Sequence, residues 1–168
     1  MKAIRIEQPN HLEILHLPRP EPGENEVLIK VMASGICGTD IHILRGEYLG
    51  DYPVIPGHEF SGIVEQLGIG VSRLRTGERV AVEPNLSCGN CAYCLENQQN
   101  FCLNWQAVGV TLPGGMAEYV VVPEAAVFSI EDMPFEWGAF MEPLSCVLHG
   151  IERTGIDLAD RVAIIGAG

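Results

Sequence analysis

Pro56-Gly57-His58-Glu59-Phe60-Ser61-Gly62-Ile63-Val64-Glu65-Gln66-Leu67-Gly68 runs on through Gly70 and Gly77 into Arg79-Val80-Ala81-Val82-Glu83-Pro84. Gly62–Gly68 and Arg79–Pro84 read as two strands, and the three glycines mark the turn between them. Working outward, residues 1–8 alternate as a strand does, and Val27–Ala33 and Ala117–Pro123 are two further β-type runs. Pro18-Arg19-Pro20-Glu21-Pro22-Gly23 is a loop, because successive prolines remove donors and fix φ. Short strands at this spacing, punctuated by glycine, predict a mainly β, small-barrel or sandwich architecture.

The periodicity changes near Pro134. Trp137, Phe140, Leu144, Val147, Leu148 and Ile151 recur at helical spacing. Arg161-Val162-Ala163-Ile164-Ile165 is then a continuous apolar run, the pattern of a parallel strand buried on both faces. It leads into Gly166-Ala167-Gly168.

A chain of 168 residues suffices for one core, and 47% hydrophobic content excludes a disordered tail. The net charge of −12 repels phosphate backbones and offers nothing to anionic membranes, so neither nucleic acid nor a membrane is expected as a partner. The N-terminus lacks an apolar leader, and no stretch is long enough to span a bilayer, which predicts a cytoplasmic protein. In that reducing setting six cysteines point to metal binding or catalysis rather than disulfides.

Four of the six form C-x2-C-x2-C-x7-C: Cys88, Cys91, Cys94 and Cys102. Four thiolates complete a closed tetrahedral shell, the pattern of a structural zinc. An iron–sulfur cluster is the rival chemistry, but the final gap is longer than in C-x2-C-x2-C-x3-C-P and no proline follows Cys102; unliganded thiols are the plain alternative. The lobe around them has few aliphatic residues, so a metal would replace a local core.

Three other segments carry ligand-type residues: Cys37-Gly38-Thr39-Asp40-Ile41-His42, Gly57-His58-Glu59 and Met141-Glu142-Pro143-Leu144-Ser145-Cys146. Singly each is weak. Together with Gly57-His58-Glu59-x2-Gly62-x5-Gly68-x2-Val71 and the cysteine lobe in the expected order, the chain resembles the zinc-dependent medium-chain dehydrogenase/reductase superfamily along its whole length.

The resemblance implies a GroES-like, partly open β-barrel over residues 1–133, with the structural zinc lobe at 84–104. A connecting helix at 134–155 and the start of a Rossmann nucleotide-binding domain at 156–168 would follow. It implies two zinc ions per chain. Cys37 and His58 match ligands of the catalytic zinc, Glu59 a carboxylate that binds the metal or sits behind it, and Glu142 a third ligand, direct or through water. Thr39 matches the hydroxyl that touches the substrate oxygen, and His42 the outer member of a proton relay. Cys146 matches no ligand and reads as a helix-packing residue; His149 reads as packing or supporting the site. His11 and His16 are expected at the surface.

A catalytic zinc with an open position lowers the pKa of a bound hydroxyl, and the alkoxide-like oxygen can expel hydride from its carbon. The acceptor would be NAD or NADP. Gly166 and Gly168 are the first half of the G-x-G-x-x-G that binds its pyrophosphate. The chain therefore resembles a piece of a longer enzyme whose nucleotide-binding domain is missing, and exposed apolar surface and self-association are expected of it. The expected reaction is oxidation of a small alcohol or polyol, with Glu142-Pro143-Leu144-Ser145 resembling the sorbitol or iditol type. An L-threonine dehydrogenase is the alternative, and a zinc-binding module without turnover is the alternative for the chain as it stands. The full-length enzyme is expected to be a homo-oligomer.

Overall fold

Val27, Ile29, Val64, Val80, Val82, Val120, Val122 and Val127 share one buried cluster with Phe60. β-branched side chains of this kind favour the pleated backbone, and the strands that carry them form one sheet. The computed structural model describes residues 1–166. In chain order its elements are β1 (Lys2–Gln8), β2 (His11–His16), β3 (Glu26–Ser34), α1 (Gly38–Arg45), β4 (Phe60–Leu67) and β5 (Arg79–Val82). They continue with β6 (Asn85–Leu86), α2 (Ala92–Leu95), β7 (Gln106–Ala107), β8 (Tyr119–Pro123), β9 (Val127–Ser129), α3 (Phe135–Ala139) and α4 (Met141–Thr154).

Five strands make an open sheet in the order β8-β3-β4-β5-β9, with every neighbour antiparallel. β1 and β2 form a hairpin ribbon, and β6 and β7 a small two-stranded sheet at the base of the cysteine lobe. The fold is thus mainly β, in open sheets. A second buried cluster of Ile6, Ile43, Val54, Ala107 and Val110 pins α1 against β1. Ile43 is fully buried, and its carbonyl accepts a hydrogen bond from the Tyr52 hydroxyl. Removing a buried side chain of this size costs about 2–5 kcal/mol, so α1 is held firmly by a residue on its inner face.

Helical spacing over 135–153 becomes two helices, α3 and α4, joined at Phe140. The reason is Pro143, which has no N–H to give the Ala139 carbonyl in a continuous helix. Restarting the helix at Met141 places the proline in a first turn, where its missing donor costs nothing. α3 docks on the sheet through the Ser61 hydroxyl, which donates to the Phe135 carbonyl at 2.5 Å, and through Arg79, stacked 3.7 Å over the Phe135 ring.

Three expectations are corrected here. Arg161–Ile165 forms no strand, and its side chains are exposed; a doubly buried parallel strand needs neighbours on each side, and none lies beside it among the described residues. Cys146 is exposed on α4 rather than packed, with its thiol donating to Glu142 Oε1 at 3.5 Å, and His149 is exposed as well. β2 and the short strands β6, β7 and β9 were not expected. β2 carries both exposed histidines, His11 and His16.

Candidate metal centres

β3 and β4 are antiparallel, with Ser34 opposite Phe60. The end of β3 and the start of β4 therefore lie side by side, and one further rung joins them, Gly35 N–H donating to the Glu59 carbonyl at 2.7 Å. Cys37 lies three residues beyond Ser34, and Glu59 and His58 immediately precede Phe60. This antiparallel pairing brings together ligand-type residues, Cys37 and His58, that are 21 positions apart in the chain. One ligand atom each from Cys37, His58 and Glu59 lie within 4.8 Å of one another.

Asp40 holds this arrangement, and the sequence reading had given it no role. Only 5% exposed, it accepts the Cys37 N–H at 2.8 Å and the Gly57 N–H at 3.1 Å, and its Oδ1 is 3.7 Å from His58 Nδ1. One carboxylate thus ties the cysteine segment to the histidine segment. The legible signal was spacing: a carboxylate three residues after a helix N-cap is half of a capping box, and Cys37 is the N-cap of α1. Asp40 is also the main cause, by contact and then by charge, that lifts the His58 pKa to about 9, against the opposing effect of burial and with help from Cys37. Burial raises the Glu59 pKa, with the charges of Glu142 and Asp40 adding to it and His58 opposing.

The loop carrying His58 is gripped from the other side. Gly114, Gly115 and Met116 donate backbone hydrogen bonds to the carbonyls of Ile55, Gly57 and Pro56 at 2.8, 2.7 and 3.0 Å. The two backbones approach so closely that a Cβ on Gly114 would lie 2.5 Å from Gly109 Cα and 2.7 Å from the Pro56 oxygen. The contact of Gly114-Gly115 with the His58 loop was not legible in the sequence, because the partner lies some 57 residues away.

Thr39 stands beside the cluster, with the Cys37 sulfur 3.6 Å from its hydroxyl. His42 lies one turn further along α1, exposed, with Nδ1 2.8 Å from Glu47 Oε2. Gly46, in the left-handed conformation, ends the helix and turns Glu47 back towards it. Glu142 is half-buried and outside the three-residue cluster, though near enough for its charge to act on Glu59. Gly166 is exposed with φ 91°, and Gly168 lies outside the described residues.

The four lobe cysteines are free thiols whose sulfurs lie within 4.8 Å of one another. Cys91 and Cys94 sulfurs are 3.5 Å apart, and Cys88 and Cys94 are 4.0 Å apart. Zinc–sulfur bonds of about 2.3 Å place tetrahedral sulfurs roughly 3.8 Å from each other, so the spacing fits. The backbone is prepared for thiolates. N–H groups of Asn90 and then Cys91, with Cys102 and the Asn104 amide, lower the Cys88 pKa to about 6; those of Leu103 and Cys94 lower that of Cys91. Burial and the neighbouring Cys91 thiol push Cys94 up to about 12, which marks four crowded thiols that require a cation to ionise together. At the other cluster, sulfur, imidazole and carboxylate are a borderline-soft donor set that also suits zinc. His58 Nδ1 is buried and has no hydrogen-bond partner among the described residues.

A strand pair delivering three such donors to one point, in a chain that also carries a four-thiolate lobe, is the arrangement of the zinc-type alcohol dehydrogenases, and the chain belongs to that family. The family model for the alcohol dehydrogenase GroES-like domain matches residues 23–132. A D-altritol 5-dehydrogenase from Agrobacterium fabrum is 38% identical over 173 residues, covering all of this chain and 52% of that protein. A sorbitol dehydrogenase from Bacillus subtilis is 37% identical over 174 residues, covering all of this chain and 49% of the relative. Among solved structures, a protein from Sinorhizobium meliloti assigned as a zinc-binding dehydrogenase, with NADP bound, superposes with a TM-score of 0.90. Its identity is 44%, over 92% of this chain and 46% of that one. The chain spans about half the length of the relatives it matches.

Proposed function

We propose that this chain carries the metal-binding portion of a zinc-dependent dehydrogenase that oxidises a small polyol with NAD or NADP. The observation that carries the reading is the convergence of Cys37, His58 and Glu59 within 4.8 Å, with a hydroxyl, Thr39, beside the sulfur. Cys37, His58 and Glu59 hold the catalytic zinc, and Glu142 is the carboxylate placed to join or replace Glu59. Cys88, Cys91, Cys94 and Cys102 hold the second, structural zinc. Zinc in an open site supplies a Lewis acid that acidifies an alcohol hydroxyl.

The protein's own groups do the rest. Asp40 fixes the two backbone segments that carry Cys37 and His58 and sets its carboxylate 3.7 Å behind the His58 ring, where carboxylates stand behind ligating imidazoles in many metal sites. Thr39, on the helix held by its buried inner face, relays the hydroxyl proton of the substrate, releasing its own hydroxyl proton outward as it takes the substrate's. His42, exposed and paired with Glu47, passes that proton to solvent. Gly166 and Gly168 begin the turn that binds the cofactor pyrophosphate. Relatives named for altritol and sorbitol favour a polyol over an amino acid alcohol as substrate.

A second reading applies to the 168 residues alone. Residues 155–166 form no strand, and no dinucleotide surface is assembled among the described residues; on this reading the 168 residues by themselves act as a zinc-binding module without turnover. Metal analysis and an NAD-linked assay test both readings. About two zinc ions per chain with no sorbitol oxidation supports them. Zero zinc rejects the metal centres, and turnover by the chain alone rejects the second reading.

A further inference from the structure

Glycine at position 35 is not explained by backbone conformation. Gly57 and Gly46 occupy the left-handed region, at φ 95° and 73°, but Gly35 does not. An L-residue could adopt its backbone without strain. What excludes a side chain is Glu59. A Cβ built on Gly35 would overlap Glu59 Oε2 and lie 3.1 Å from Glu59 Cβ and 3.3 Å from Cδ. Gly38, in the same segment, offers a contrast: a Cβ there meets nothing within 4 Å.

The strands cannot separate to relieve the overlap. Gly35 N–H is bonded to the Glu59 carbonyl at 2.7 Å, and Ser34 and Phe60 pair in the next rung. Glu59 Cβ is fixed by that backbone, so its own 3.1 Å contact stays, and only rotation of the side chain beyond it could relieve the larger overlap with Oε2. Such rotation takes the carboxylate away from Cys37 and His58. A cleft walled by Ala33, Ser34, Glu136, Ala139 and Phe140 lies alongside to receive it.

We propose that Gly35 is a positioning residue whose missing side chain lets Glu59 present its carboxylate as the third protein ligand beside Cys37 and His58. The proposal rests on the reading of those three residues as a metal site. It deepens that reading by stating what chooses Glu59 as the ligand: the space on the adjacent strand end.

Loading the protein with cadmium-113 tests it, because a four-thiolate site and a mixed sulfur, nitrogen and oxygen site give separate resonances. Gly35→Ala should shift or broaden the mixed-site resonance and lower metal affinity there about 10–100-fold, measured by chelator competition. The four-thiolate resonance should stay in place. In a Glu59→Gly background, which removes the Cβ as well as the carboxylate, adding Gly35→Ala should change the mixed-site affinity less than about twofold, since every atom of the overlap is gone. An unaltered mixed site in Gly35→Ala overturns the proposal. So does an equal loss in both backgrounds, which would mean the methyl acts through the backbone. If Gly35→Ala alone fails to fold, recovery of folding in the double variant supports the clash with Glu59 and continued failure refutes it. A wild-type protein with the four-thiolate resonance alone would remove the mixed metal site itself, and the proposal with it.

Discussion

Asp40→Asn changes one atom and should damage both folding and metal binding. The carboxylate receives two N–H groups, one on each oxygen: Cys37 at 2.8 Å and Gly57 at 3.1 Å. Hydrogen bonds to a charged acceptor contribute about 1.5–3 kcal/mol each. An amide has one acceptor oxygen, so it can serve either donor but not both, and its NH2 group then faces an N–H. One charged bond is lost, the other is weakened to a neutral one, and a donor is left against a donor in a site 5% exposed. The expected cost is about 2–4 kcal/mol, or roughly 4–16 °C in Tm for a chain of this size.

Urea unfolding of the protein with metal stripped by chelator isolates this effect, with exposed Asp51→Asn as the control. With metal restored, affinity at the Cys37 and His58 site should fall about 10–100-fold, because the carboxylate behind the imidazole is gone. A variant within about 0.5 kcal/mol of wild type and with unchanged metal affinity would refute the role of Asp40 as the tie between the two segments.

Cys102→Ala should unfold the lobe and release one metal, whereas Cys37→Ser should release the other and leave the five-stranded sheet intact; circular dichroism with metal counting distinguishes them, and equal unfolding would count against two separate sites. His58 has a pKa raised to about 9 in the folded chain against an ordinary 6.5, so its stabilising contribution to the metal-free protein is full below pH 6.5 and lost as pH rises through 9. The gap in urea midpoint between wild type and His58→Gln should narrow as pH rises across that window, the lobe thiols titrating alike in both; a gap independent of pH would refute it. On α4, Val147 and Leu148 are 57% and 51% exposed and Ile151 45%; self-association through this face is expected in light scattering and should fall in Leu148→Glu, and an unchanged mass distribution would exclude this face as its cause.

Residue type and local spacing alone determined much of this protein. Valine and isoleucine runs marked four of the five strands of the central sheet, all but the short edge strand β9, because a half-buried pleated surface selects them wherever it sits. Cys88, Cys91, Cys94 and Cys102 were readable as one site because a tight knuckle brings neighbours in sequence together without help from the rest of the fold. Cys37, His58 and Glu59 were legible only through their resemblance to a family. Their meeting depends on the antiparallel register of β3 and β4, which places Ser34 opposite Phe60, and register is a property of two segments at once. For the same reason only the tertiary structure revealed Asp40 bonded to Gly57, Gly114 pressed against the His58 loop, and the space at Gly35 that Glu59 fills. Pattern along the chain records what each segment prefers; which side chains share a point is decided by the packing that folds distant segments onto one another.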